Sequence, residues 1–214
     1  MKSNEKKVIK GIVALFLIAI FLYLLPDVTT VFYEEHLEYQ KLEILKNAVI
    51  PEWIEQQILD IGSARTTIEL SQINSIVVHY VGNPGTTAKQ NREYFNTDGV
   101  EVCSHFIVGL DGEIIQCLPL YEKSAASNWR NKDTISIEVC HPDKTGKFNA
   151  KTYEALIKLV AWLCNLCDFN EENVIRHYDI TGKECPFYYV KHEDEWEKFL
   201  NDVKGNIILE ETKV

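Results

Sequence analysis

Two histidines and one cysteine in this chain of 214 residues have the spacing of a metal site. His79 lies near the end of the apolar run SIVVHY, His177 lies in IRHYD, and Cys185 lies in GKECP. His177 and Cys185 are eight residues apart, a gap that one loop can close, whereas the fold must bring His79 to them. Two imidazoles and one thiolate leave the fourth tetrahedral position open, which is the pattern of a catalytic zinc site. Taken singly, each residue is more often structural, so the prediction depends on all three.

Five other polar or aromatic residues are candidates for the same site. Lys183 precedes Cys185 by two residues, and Glu138 lies on the polar side of TISIEVC. In isolation they would be interpreted as a solvated loop lysine and an exposed strand carboxylate. The remaining three are candidates for lining a substrate groove, with core packing or a structural histidine as the alternative: Asn128, Trp129 and His141.

The elements that must position these residues alternate between strands and helices. SIVVHY and TISIEVC are predicted strands, and SHFIVGL and EIIQC flank an Asp-Gly turn typical of a hairpin. Thr86 or Thr87 can cap a helix that ends at Phe95, and Asn149 can cap a longer one. Shorter elements are expected at 51–58 (helix), 174–177 (strand) and 193–203 (helix). The pattern predicts one α/β domain, a central mixed β-sheet flanked by helices.

The amino-terminal segment has the composition of a transmembrane helix. Residues 11–25 (GIVALFLIAIFLYLL) carry no charge, and 8–25 just reaches the roughly 17–25 residues that span a bilayer. The run ends in LLPD without a small-x-small cleavage site, which favours an uncleaved signal anchor over a cleaved signal peptide. A buried core helix is disfavoured by the flanking lysines.

The charge of the first ten residues sets the expected orientation. Residues 1–10 hold four Lys and one Glu, and the positive-inside rule places this tail in the cytoplasm. We therefore predict a single-pass cell-membrane protein with a helical stalk at 26–50 and an extracellular domain at 51–214. A protein secreted after signal cleavage is the alternative. The net charge of −10 argues against nucleic acid as a partner, and no obligate protein partner is indicated.

Four segments in a fixed order give the candidate residues a family context. VVHY, SHFIVGLDGEIIQ, SIEVC and IRHYDITGKECP together resemble the zinc-dependent N-acetylmuramoyl-L-alanine amidases. The resemblance is closer to clostridial and bacillar autolysins and phage endolysins than to phage lysozyme or the animal peptidoglycan recognition proteins. It covers about residues 75–203. It implies that family's fold, Zn²⁺ as cofactor, and hydrolysis of the amide between the lactyl group of N-acetylmuramic acid and L-alanine in peptidoglycan.

The resemblance also implies a role for each matching residue. The family's metal ligands correspond to His79, His177 and Cys185. Its glutamate corresponds to Glu138, which would act as general base and acid for a zinc-activated water, and its lysine to Lys183, which would stabilise the oxyanion.

One position departs from part of the family. Where phage lysozyme and the recognition proteins carry a catalytic tyrosine, this chain has Ser104, so the proton-transfer role passes to Glu138.

Two alternatives to this enzyme make different predictions about the sequence. A non-catalytic peptidoglycan-binding module would be expected to lack the cysteine ligand, which is present here as Cys185. A zinc peptidase of the commonest class would carry H-E-x-x-H, and the sequence has no such motif. Five cysteines remain besides Cys185. An odd number cannot all pair, so we expect them to be mostly reduced and buried, although an extracellular location permits disulfides.

Overall fold

The structure of this protein is a computed structural model that describes residues 28–211. The predicted basic tail (1–10) and membrane anchor (11–25, or 8–25 with its flank) lie outside the described residues. Among the helices within 28–211, none is both long enough and apolar enough to cross a membrane.

A long helix, α1 (Val28–Lys46), accounts for most of the predicted stalk. The larger compact unit of the chain begins inside this helix, at Gln40, and includes the described residues that follow. Leu45 is buried in its main core and Leu42 packs against that core. The folded unit therefore starts earlier than the expected boundary at Pro51, because the last turns of the helix contribute apolar side chains to it.

The described residues form one mixed sheet of six strands: β1 (Glu55–Gln56), β2 (Ser75–Tyr80), β3 (Phe106–Val108), β4 (Ile114–Gln116), β5 (Thr134–Val139) and β6 (Val174–Arg176). Their order in the sheet is β1-β4-β3-β5-β2-β6. The β3–β4 pair is the antiparallel hairpin predicted around Asp111-Gly112, and every other neighbouring pair is parallel. The mixed α/β sheet is therefore confirmed.

The predicted helix at 51–58 is wrong, because this segment extends the sheet instead. Glu55 and Gln56 pair with β4 in parallel. The backbone amides of Gln57 and Leu59 then donate to the carbonyls of Gln116 and Cys117, both at 2.9 Å. An exposed sheet edge offers unpaired backbone groups, and pairing with it outweighs local helix preference.

Helices cover both faces of the sheet. One face packs Ile76, Ile135 and Ile137 against Leu156 and Phe199 of two long helices, and the other packs Ile107 against Ala88 and Phe95 of a shorter one. The central strands are thus buried on both sides, as parallel strands usually are. After α1, the helices are α2 (Ala88–Phe95), α3 (Ala150–Cys167), α4 (His177–Thr181), α5 (Phe187–Lys191) and α6 (Glu193–Glu211), with 3₁₀ turns at Asn128–Lys132 and Glu171–Asn173.

The predicted caps are present at α2 and α3. Thr87 and Gln90 form a reciprocal capping box at α2. At α3 the Asn149 side chain accepts a hydrogen bond from the Thr152 amide at 3.1 Å and donates one to the Leu110 carbonyl at 2.8 Å. Asn149 therefore ties the start of α3 to the β3–β4 hairpin.

We expect Asn149→Ala to lower the free energy of unfolding by about 1 kcal/mol, because it removes both the cap and the tie to the hairpin. Urea unfolding followed by tryptophan fluorescence measures the change. Lys151→Ala, in the same turn, is the control and should change little, since its ion pair with Asp111 is exposed. Equal midpoints for Asn149→Ala and wild type would contradict the prediction.

Candidate metal centre and active-site cavity

The candidate site lies where three neighbouring parallel strands end. His79 in β2 is the register partner of Glu138 in β5, and His177 directly follows β6 as the first residue of α4. Ligands in open α/β sheets bind at the carboxyl ends of the strands. The sheet topology therefore brings together residues that lie far apart in sequence.

His79, His177 and Cys185 meet at this edge. Each can offer one ligand atom such that the three atoms lie within 4.8 Å of one another. The centres of the two rings are 4.7 Å apart, and Cys185 Sγ is 3.8 Å from His79 Nδ1. All three residues are buried. The sequence-predicted triad is thus a compact group of metal-binding side chains.

A tight reversal of the chain delivers Cys185 to the two histidines. α4 ends at Gly182, whose φ of +75° is strained for residues with a Cβ. The returning chain is fixed when the Tyr178 amide donates to the Cys185 carbonyl at 2.9 Å. The eight-residue spacing seen in the sequence is the length of this short helix and its return.

Burial sets the protonation of the three side chains. It lowers the pKa of His79 well below the usual value, and it also lowers the pKa of His177, with Lys183 acting in the same direction. Burial, assisted by the charge of Glu138, raises the pKa of the Cys185 thiol to about 12. At neutral pH both imidazoles are therefore neutral, the form that binds metals, and cation binding must displace the thiol proton.

Glu138 and Lys183 lie at the same site. Both line its cavity, together with the three candidate ligands. Glu138 is a partly exposed residue, but its Oε2 is buried and has no hydrogen-bond partner among the described residues. Burial raises the pKa of this carboxyl to about 8, and the charge of Lys183 opposes the rise. A buried carboxylate oxygen without a partner is unfavourable unless a cation or substrate group meets it, which fits a metal centre.

The cavity extends from the triad along α2. Its volume is about 700 Å³, the size of pockets that hold medium-sized ligands. Away from the triad its wall is largely neutral and carries amide, hydroxyl and aromatic groups: Asn83, Thr86, Gln90, Asn91, Tyr94 and Phe95. Such a wall suits a ligand rich in amide and hydroxyl groups.

The three predicted groove residues lie at different places around the site. Asn128 Oδ1 accepts a hydrogen bond from His177 Nε2 at 2.8 Å. His141 is buried, its Nδ1 donates to the Asp143 carbonyl at 2.7 Å, and its ring packs beside Tyr80, which lines the cavity. Trp129 is 64% exposed. Contact of these three residues with a substrate stays a prediction.

Ser127 was not predicted to be a residue of the site. Its Oγ lies 3.1 Å from His79 Nε2, and the residue is fully buried. A serine in SNWRN carries no signal of its own. The adjacent pair Ser127-Asn128, just before the strand of Glu138, would have been the clue.

All six cysteines are buried free thiols. Burial raises the pKa of the Cys103 thiol to about 11 and that of the other four outside the triad to about 12: Cys117, Cys140, Cys164 and Cys167. A protonated, buried thiol is a poor nucleophile.

We expect the non-ligand thiols to be unreactive in the folded protein. Titration with a thiol reagent in native buffer should label few groups, and titration in denaturant without reductant should label six. Fewer groups in denaturant would show that disulfides form.

The fold and the site together define an α/β domain with a candidate metal-binding group at the carboxyl edge of its sheet. The family model for N-acetylmuramoyl-L-alanine amidase matches residues 69–187, which is more than half of the chain. The chain therefore belongs to the N-acetylmuramoyl-L-alanine amidase family.

Relatives and solved structures agree with this assignment. The chain is 30% identical over 164 residues to the N-acetylmuramoyl-L-alanine amidase BlyA of Bacillus subtilis, covering 67% of this chain and 44% of BlyA. It is 26% identical over 168 residues to the N-acetylmuramoyl-L-alanine amidase CwlL of Bacillus licheniformis, covering 69% of this chain and 46% of CwlL. The match thus spans less than half the length of these relatives.

Among solved structures, PlyL superposes with a TM-score of 0.63 at 26% identity, covering 71% of this chain and 96% of PlyL. A mutant endolysin from Bacillus subtilis gives a TM-score of 0.61 at 27% identity, covering 70% of this chain and 97% of the endolysin. The similarity therefore takes in nearly the whole of these smaller domains.

Proposed function

We propose that this protein hydrolyses peptidoglycan at the amide between the lactyl group of N-acetylmuramic acid and L-alanine, with zinc as its cofactor. The observation that carries the proposal is the meeting of His79, His177 and Cys185 within 4.8 Å beside the unpartnered carboxylate of Glu138. Membership of the amidase family supports hydrolysis of an amide as the reaction. The names of the relatives BlyA and CwlL support the N-acetylmuramoyl-L-alanine bond as the one that is cleaved.

The donor set fits zinc. Two neutral imidazoles and one thiolate are typical zinc ligands, and three protein ligands leave a position for a reactant. His79, His177 and Cys185 would hold the ion. When bound, zinc lowers the pKa of water to about 7 and polarises a carbonyl.

Glu138 is the proposed proton carrier. Its position beside His79 on the neighbouring strand puts a carboxylate at the edge of the cavity. Its pKa of about 8 leaves part of the carboxyl ionised at neutral pH. The ionised form would take a proton from the attacking water and return it to the amino group of the departing L-alanine. Because its Oε2 has no protein partner, no competing hydrogen bond must be broken to accept that proton.

Lys183 is the proposed oxyanion stabiliser. It lies on the cavity wall in the return loop that carries Cys185. A positive charge at this place favours the negative oxygen that develops on the scissile carbonyl. The neutral polar wall along α2 would hold the glycan or peptide on either side of the bond.

We further propose that the domain lies outside the cell and is attached to the membrane by the anchor predicted over 11–25. Secretion after signal cleavage is the alternative. Protease treatment of intact protoplasts should remove the domain from membranes that retain the amino-terminal tail. Recovery of the protein in the culture medium would favour secretion.

Purified peptidoglycan is the test substrate for the detergent-purified full chain. We expect new L-alanine amino termini to appear, to stop appearing when the metal is chelated, and to reappear when zinc is added back. Release of reducing sugar ends instead would assign a different bond. Binding to peptidoglycan without any release would support a non-catalytic recognition module.

A further inference from the structure

One short segment contacts both histidines of the metal centre. Ser127 Oγ lies 3.1 Å from His79 Nε2, and Asn128 Oδ1 lies 2.8 Å from His177 Nε2. Two adjacent residues thus engage the same ring atom of two histidines that lie 98 positions apart in the sequence. We name Ser127, Asn128 and Asn131 the histidine clasp.

These contacts determine which nitrogen of each ring is available to a metal. An amide oxygen only accepts hydrogen bonds, so Asn128 requires the proton of a neutral His177 to be on Nε2, which leaves Nδ1 with a free lone pair. For His79, Nδ1 is the atom near Cys185 Sγ, and Ser127 engages Nε2. The Asn128 contact thus fixes the proton of His177, whereas the Ser127 hydroxyl can donate or accept and fixes only the orientation of the His79 ring, with Nδ1 towards Cys185.

The clasp is itself held in place. Asn131 Oδ1 accepts hydrogen bonds from the amides of Ala126 at 3.0 Å and Ser127 at 2.6 Å. Arg130, in the same 3₁₀ turn, donates to both carboxylate oxygens of Asp133 at 2.9 Å. These hydrogen bonds within the segment therefore hold its shape independently of its contacts with the two histidines.

The backbone of Asn128 is in the left-handed region. Its φ is +54°, a conformation that most side chains avoid and asparagine tolerates better than most. Residues kept in such conformations are concentrated at functional sites, where the surrounding structure holds them. At Asn128 this conformation accompanies the contact to His177.

We propose that the histidine clasp is a positioning device that holds the orientation of His79 and fixes both the orientation and the tautomer of His177, so that both rings present Nδ1 to the metal. Without the clasp each free imidazole would take several orientations and His177 would divide between two tautomers, and metal binding would have to select one arrangement. Partners on the far nitrogen of metal-binding histidines typically change metal affinity by about 10–100-fold. This inference rests on the metal centre of the proposed function.

Zinc affinity of the full chain, measured by competition with a chromogenic chelator, gives the first test. Asn128→Gly keeps the left-handed backbone accessible and removes Oδ1, so we expect affinity to fall by about 10–100-fold. Asn128→Asp keeps an acceptor and should retain at least wild-type affinity. Lys132→Ala, an exposed change in the same segment, is the matched control and should leave affinity unchanged.

The tautomer of His177 in the metal-free protein gives a second test, which does not depend on zinc. In ¹⁵N spectra of the imidazoles, wild type should show His177 protonated at Nε2, and Asn128→Gly should show a mixture. Ser127→Ala frees the His79 ring to reorient, should lower zinc affinity by about 10–100-fold, and serves if Asn128→Gly does not fold. An unchanged His177 tautomer together with unchanged affinity in folded variants would overturn the proposal.

The two proposals fail in distinguishable ways. If wild type binds no zinc, the proposed function fails, and the metal-free spectra alone decide whether the clasp sets the tautomer of His177. If wild type binds zinc and cleaves peptidoglycan but the clasp variants match it in both tests, only the clasp is refuted.

Discussion

Glu138→Gln is expected to lower kcat/KM on peptidoglycan by about 10²–10⁴-fold while the zinc content stays at the wild-type level. Glutamine has nearly the same shape as glutamate, but its neutral amide cannot take a proton from water. Glu138 is not one of the three candidate ligands, and its Oε2 has no protein partner whose loss would disturb the fold. The rate of L-alanine amine release and the zinc-to-protein ratio are the two measurements.

Two companion variants test whether the effect belongs to the proposed chemistry. Lys183→Ala should also retain zinc and lose about 10²–10³-fold in turnover, because the developing oxyanion loses its positive partner. Glu184→Gln is the matched control, since it removes an exposed carboxylate from the same loop, where it pairs with Lys191. Wild-type turnover in Glu138→Gln would remove this residue from the mechanism.

Cys185→Ser is expected to abolish both tight zinc binding and hydrolysis. A serine hydroxyl is a much weaker zinc ligand than a thiolate, and only two imidazoles would remain from the triad. Zinc at 100 times its Kd should stabilise wild type by about 2.7 kcal/mol, and this stabilisation should disappear in the variant. Thermal unfolding with and without added zinc shows the difference.

Cys164→Ala provides the matched control for the loss of a thiol. Cys164 is buried in the main core on α3, with its Sγ 3.9 Å from the Asn170 carbonyl. This variant should be less stable than wild type but should gain the same stabilisation from zinc. If Cys185→Ser were stabilised by zinc as much as wild type, Cys185 would not be a ligand.

Local sequence patterns predicted the elements whose structure is decided locally. The Asp111-Gly112 hairpin and the Asn149 cap depend on backbone preferences and hydrogen bonds within a few residues. The segment at 51–58 was mispredicted because its partner, β4, lies about 60 residues away and no local pattern reports an available sheet edge. The packing of Leu45 in the core likewise depends on residues distant in sequence, which no local pattern identifies.

The same distinction applies to the site: local motifs indicated the candidate ligands, but contacts between residues distant in sequence were not predicted. The candidate ligands were found because their residue types are rare and their motifs resemble a family. Asn128 was predicted to line the substrate groove, and its contact with His177, 49 positions away, was not predicted. The packing of the His141 ring beside Tyr80 was not predicted either. A side chain's direction at the end of a strand depends on the neighbouring chain, which the sequence order does not reveal.

The pairing of His79 with Glu138 links the chemistry of this protein to the way its sheet assembles. If β5 were displaced by one residue along β2, Ile137 or Val139 would stand beside His79, and a carboxylate would point to the opposite face. The packing of Ile135, Ile137 and Val139 in the main core, on one face of β5, opposes such a displacement. Mutations in these three residues, which belong to the core and not to the site, would therefore inactivate the protein by shifting its strand alignment. Selection on catalysis would then act directly on the hydrophobic core.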